Sequence, residues 1–96
     1  MNPNSTCTRD VVVKLENGLH LQPSSQIVQL AQKFKSDLII RKGDRIVDGK
    51  SMLDLLTLAA EQGTELRLET SGPDAAAAVE AIAALFEKNF VIDLPG

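Results

Sequence analysis

The sequence predicts an α+β fold: a two-layer open-faced sandwich, with a four-stranded, mostly antiparallel sheet covered on one face by three helices. Three observations predict it. The periodicity switches between two and 3.6 residues in the order β-α-β-β-α-β-α. One run alternates cleanly, with Leu66, Leu68 and Thr70 set against Glu65, Arg67 and Glu69, the pattern of a sheet wet on one side. Lys42-Gly43-Asp44 separates two short β-type runs, as in a hairpin.

Taken in order, residues 1–9 show no periodicity and are expected to be a flexible extension ahead of a domain spanning 10–90, with 91–96 as a tail. Val11 to Leu15 reads as strand one, led by three β-branched residues. Helix one is expected from Ser24 to Lys35, because Ile27, Leu30, Ala31 and Phe34 recur at helical spacing. Pro23 suits its first position, where a missing N–H is harmless, and Ser24 is a candidate N-cap. Strand two covers Asp37 to Arg41 and strand three Arg45 to Asp48. Helix two runs from Ser51 to about Glu61, with Met52, Leu55, Leu56 and Ala59 as its inner stripe and Leu53 and Leu58 off it. Ser51 and Asp54 resemble a capping box, and Gly63 is placed to close the helix. Strand four is Glu65 to Ser71. Helix three extends from Pro73 or Asp74 to Asn89, with Ala75, Ala78, Val79, Ile82, Leu85 and Phe86 on its buried side.

Composition narrows the function. Ninety-six residues make one domain. Ten basic and thirteen acidic residues leave a net charge of −3, and there is no Trp or Tyr. A nucleic-acid partner is therefore not expected, since neither a basic excess nor stacking aromatics are present. The one cysteine, Cys7, cannot form an internal disulfide, and no cysteine or histidine cluster suggests a metal. The opening MNPNSTCTRD is polar, and no apolar run approaches the ~18 residues of a membrane span. Cytoplasmic residence, no membrane contact, no cofactor and a monomer are the expectations.

The single histidine, His20, lies between strand one and helix one in Asn17-Gly18-Leu19-His20-Leu21-Gln22-Pro23-Ser24. That spacing sets the imidazole at a helix entrance, where unpartnered N–H groups and the helix dipole favour an anion. With one histidine and no partner constellation, a hydrolytic triad is not supported.

Two motifs in this order carry a family resemblance. The first is Gly18-Leu19-His20 with Pro23. The second is Asp48-Gly49-Lys50-Ser51-Met52-Leu53 and the helix after it, up to Gln62-Gly63-Thr64. Residues 10–90 resemble the HPr family, the histidine-containing phosphocarriers of the bacterial phosphoenolpyruvate-dependent phosphotransferase system. The resemblance implies no turnover chemistry of its own. It implies that His20 takes a phosphoryl group from enzyme I and passes it to a IIA-type acceptor, with Gln22, Ser24, Ser25 and the amides around them holding the phosphate. It implies regulatory phosphorylation at Ser51 by a dedicated kinase/phosphorylase, coupled to a transcription regulator. It also implies a docking patch of Leu21, Lys50, Met52 and Leu53. The sequence departs from the family at Gln22, which stands where the family has arginine, and at Leu21, where a small residue is usual. A neutral amide in place of a guanidinium removes a charge-assisted contact of about 1–3 kcal/mol. This leaves a second reading open: a regulatory binding module acting through Ser51 and partner docking, with weak phosphotransfer.

Overall fold

The computed structural model describes residues 5–91. Strands β1 (Ser5–Val12), β2 (Asp37–Lys42), β3 (Arg45–Asp48) and β4 (Glu65–Gly72) form one sheet in the order β1-β4-β2-β3. Every adjacent pair is antiparallel. Helices α1 (Leu21–Ala31), α2 (Met52–Thr57) and α3 (Ala75–Glu87) complete the expected β-α-β-β-α-β-α order.

Alternation decides which face of the sheet the helices cover. Val11, Leu38, Ile40, Val47, Leu66 and Leu68 are buried, and they meet Ile27, Val28 and Ala31 of α1, Leu55 of α2, and Val79, Ile82, Ala83 and Phe86 of α3. Phe86 stacks edge-on against Phe90, with ring centroids 4.9 Å apart. Between them on each strand lie residues such as Asp10, Arg41, Arg67 and Glu69, which face water. There Arg67 pairs with Asp10 at 2.9 Å and Arg41 with Glu69 at 3.0 Å. Exposed pairs of this kind add little stability; the apolar layer holds the sheet to the helices.

Four sequence expectations are corrected here. The first strand begins at Ser5, so residues 5–9 are not a flexible extension; β4 is eight residues long and offers a partner to each, from Ser5 opposite Gly72 to Val12 opposite Glu65. Residues 1–4 of that expected extension and 92–96 of the expected tail lie outside the described residues. Val13, Lys14 and Leu15 are not strand, because Val13 instead exchanges bonds with Gly63 and Thr64 of the loop before β4. Helix one starts three residues earlier than expected and stops at Ala31, leaving Phe34 half-buried in the connection to β2. Helix two is six residues long and ends at Thr57 with Leu58 as its C-cap, and Ala59 lies in the left-handed region at φ 50° rather than Gly63 closing it. The short helix also changes which leucines are buried: Leu58 is 1 % exposed, while Leu56 is 39 % exposed and Ala59 lies outside.

A carboxylate fixes the junction between α1 and β2. Asp74 accepts bonds from the N–H groups of Lys35 and Ser36 and from the Ser36 hydroxyl. The Ser36 hydroxyl and these two amides lower the Asp74 carboxyl to about 2.

Candidate functional site

His20 is positioned by the loop in front of it. Gly18 adopts φ 71°, and a Cβ there would overlap the carbonyl oxygen of Ala60. The chain therefore passes directly over the segment after α2. Leu19 N–H then donates to the Ala60 carbonyl at 2.9 Å, and the Leu19 side chain is buried. With Leu19 anchored, the next side chain is exposed, and it is the imidazole. His20 is the N-cap of α1 in an extended conformation (φ −87°, ψ −164°), and its side chain does not bond to the helix it caps.

This N-cap position revises the anion cradle. With α1 starting at Leu21, the first-turn amides lacking an intrahelical acceptor are those of Leu21 and Gln22; Pro23, the third helical residue, has none to offer. Ser24 N–H already donates to the His20 carbonyl at 3.1 Å. Ser24 is not the N-cap: it is fully buried, away from the surface where a phosphate was expected, and its hydroxyl is turned toward the Leu19 carbonyl. Ser25 is half-buried and accepts from the Gln29 amide at 3.2 Å. Gln22 is exposed beside His20. Together His20, Leu21, Gln22, Ser25, Gln26 and Gln29 line an open depression of about 620 Å³. The sequence reading missed Gln26 and Gln29. The signal was present: residues 22, 25, 26 and 29 are one helical face, the polar complement of the buried stripe.

The second motif sits at the start of α2. Ser51 Oγ accepts from the Asp54 N–H at 3.2 Å, so half of the capping box forms as expected. Asp54 turns its carboxylate to the Asp48 N–H instead, at 3.1 Å. Of the four residues expected to dock partners, Leu21 and Leu53 are 63 % and 76 % exposed. Met52 is only half exposed and packs against the core. Lys50 does not extend freely into solvent: its ammonium donates to the Phe34 carbonyl at 3.1 Å, tying the turn before α2 to the connection between α1 and β2. Among the described residues no cluster of three His, Cys, Asp or Glu side chains is placed to hold a metal.

The family described as the PTS HPr component phosphorylation site matches residues 7–88, the whole of the sheet and helix layers apart from their outermost residues. The chain belongs to the HPr family. It is 41 % identical over 81 residues to the phosphocarrier protein HPr of Neisseria meningitidis serogroup A, covering 84 % of this chain and 89 % of that one. It is 39 % identical over 81 residues to the HPr-like protein Crh of Halalkalibacterium halodurans, covering 84 % and 96 %. The crystal structure of an HPr from Bacillus anthracis superposes with a TM-score of 0.81 at 35 % identity, over 85 % of this chain and 98 % of that chain. HPr proteins are phosphocarriers rather than catalysts, and their place in the phosphotransferase system implies phosphotransfer partners such as enzyme I and IIA-type proteins. Among the described residues no helix is long and apolar enough to cross a membrane.

Proposed function

We propose that this chain carries its phosphoryl group on His20, receiving it from enzyme I and handing it to a IIA-type acceptor. One observation carries the assignment: the single imidazole is exposed at the N-cap of α1, directly ahead of two amides with no acceptor in the helix. A neutral imidazole nitrogen attacks phosphorus as the donor's bond to it breaks. The Leu21 and Gln22 amides and the helix dipole receive the oxygens, assisted by the Gln22 side-chain amide and the Ser25 hydroxyl. Neutral donors hold the group more weakly than a guanidinium would, and a carrier must release what it accepts. Leu21 and Leu53 offer apolar area for a partner.

Incubation with phosphoenolpyruvate and enzyme I tests the proposal. The intact mass should rise by one phosphoryl group, acid-labile and base-stable, mapped to His20. Equal labelling of a His20→Ala protein would refute it.

The similarity to Crh, the catabolite repression HPr of Bacillus subtilis, supports a second role in regulation, for which we propose Ser51 as the modified residue. A phosphate at Ser51 would displace the oxygen that caps Asp54 N–H, in a turn that already holds the Asp48 and Asp54 carboxylates. On this reading the modification alters the start of α2 by repulsion, next to exposed Leu53, and a kinase/phosphorylase and a transcription regulator would be the partners. Partner binding by Ser51-phosphorylated protein that is unchanged by His20→Ala would separate this role from phosphotransfer.

A further inference from the structure

Lys42 is the last residue of β2, opposite Arg45 of β3. Alternation places it on the face of Leu38 and Ile40, both buried, so a cation ends a row that otherwise points into the core. Lys42 is half-buried, and its ammonium meets the chain just past α2. There it donates to the Leu58 carbonyl at 3.1 Å and to the Ala59 carbonyl at 3.3 Å. Helix α2 has no basic residue of its own in its last turn. Among the described residues no backbone N–H donates to either carbonyl. Lysine side chains satisfy carbonyls at helix ends; this one does so from a strand.

The two carbonyls belong to the peptide planes on either side of Ala59. Those planes define its φ and ψ, and Ala59 lies in the left-handed region at φ 50°. An L side chain resists that conformation. One ammonium bonded to both planes opposes its relaxation. The next carbonyl along the chain is that of Ala60, which accepts the Leu19 N–H at 2.9 Å and lies where a Cβ on Gly18 would be. A few residues further, Gly63 N–H donates to the Val13 carbonyl at 2.7 Å, and Thr64 accepts from Val13 N–H at 2.9 Å. The segment after α2 therefore holds the His20 loop at both ends, and Lys42 holds the start of that segment to the sheet.

We propose that Lys42 is a positioning residue for phosphoryl transfer at His20, on the reading that His20 carries the phosphoryl group. Its ammonium clamps the turn through Ala59, the turn presents the Ala60 carbonyl to Leu19, and Leu19 sets the imidazole at the mouth of α1. Lys42 acts through this turn and not on the phosphoryl group itself.

The test compares Lys42→Met, which keeps the unbranched stem and loses the cation, with Lys33→Met, which removes the same charge from an exposed position. Lys42→Gln is a second neutral variant with the same expectation as Lys42→Met. Two measurements are made on the full chain. The first is amide hydrogen exchange at Leu19 relative to Leu68, which sits mid-sheet between Arg9 and Ile40. Leu19 should exchange about tenfold faster relative to Leu68 in Lys42→Met, the scale of one hydrogen bond to a charged group; a loss of global stability alone would speed both amides together. The second is the rate of His20 labelling by phosphoramidate, whose phosphoryl group passes to an imidazole nitrogen as ammonia leaves, and by phosphorylated enzyme I. Both rates should fall about three- to tenfold in Lys42→Met, and Lys33→Met should match the parent. Slower transfer from enzyme I with unchanged phosphoramidate labelling would make Lys42 a docking charge and overturn the inference. So would an unchanged ratio of Leu19 to Leu68 exchange, and in either case label on His20 leaves the carrier assignment standing. Absence of label on His20 in the parent protein overturns the carrier assignment and the inference with it.

Discussion

Gly18→Ala strikes the loop that presents His20. Two separate effects oppose the methyl group. At φ 71° an L side chain is strained by about 1–2 kcal/mol. The new Cβ also overlaps the Ala60 carbonyl oxygen, which accepts the Leu19 N–H. Moving that carbonyl away forfeits a hydrogen bond worth about 1 kcal/mol and disturbs a buried leucine. The expected loss is about 2–4 kcal/mol, a large part of the stability of a domain this size, and Tm should fall by roughly 10–30 °C. Gly43→Ala isolates the strain, because Gly43 has a similar φ of 57° with nothing within 4 Å of a Cβ; about 1–2 kcal/mol is expected there. Urea unfolding followed by circular dichroism is the assay, since the chain has neither Trp nor Tyr for fluorescence. In conditions where both variants are folded, phosphoramidate should label His20 more slowly in Gly18→Ala than in Gly43→Ala. Equal stabilities for the two variants, within about 0.5 kcal/mol, would show that the close approach to Ala60 does not hold the loop.

Asp74 titrates at about 2 against an ordinary 3.8, so its bonds to Lys35 and Ser36 stabilise the fold above pH 3.8 and are lost as pH falls toward 2; in Asp74→Asn the decline of stability across that window should be shallower by urea titration. Ser51→Ala removes the acceptor for Asp54 N–H and should cost about 1 kcal/mol by the same method. Leu58→Ala, at a site 1 % exposed, should lose about 2–5 kcal/mol, whereas Leu53→Ala, 76 % exposed, should stay within about 0.5 kcal/mol and act only on partner binding, read by titration calorimetry.

The elements were legible because periodicity is a local signal. Leu66, Leu68 and Thr70 alternate with charged residues whatever lies across from them, and Ile27 and Ala31 share a helix face by geometry alone. Boundaries were less legible because they are set by partners far away in sequence. Residues 5–9 look shapeless until β4 offers eight pairing positions about sixty residues later. Leu58 falls off the stripe of a long helix, yet is buried once the helix stops at Thr57 and the chain turns through Ala59.

For the site, the sequence by itself settled the single imidazole, its place between a strand and a helix, and the neutral residue at position 22. Tertiary structure decided which amides are left without a helix acceptor beside that imidazole. The Leu19 bond to Ala60 fixes the helix start at Leu21, turning Ser24 into the interior and leaving Leu21 and Gln22 N–H at the mouth. It also decided that the Lys50 ammonium binds the Phe34 carbonyl in the connection after α1. The reason is physical: composition and spacing report what a side chain can do, but hydrogen bonds closed between segments distant in sequence, such as Leu19 with Ala60 and Lys50 with Phe34, determine which groups remain free to do it.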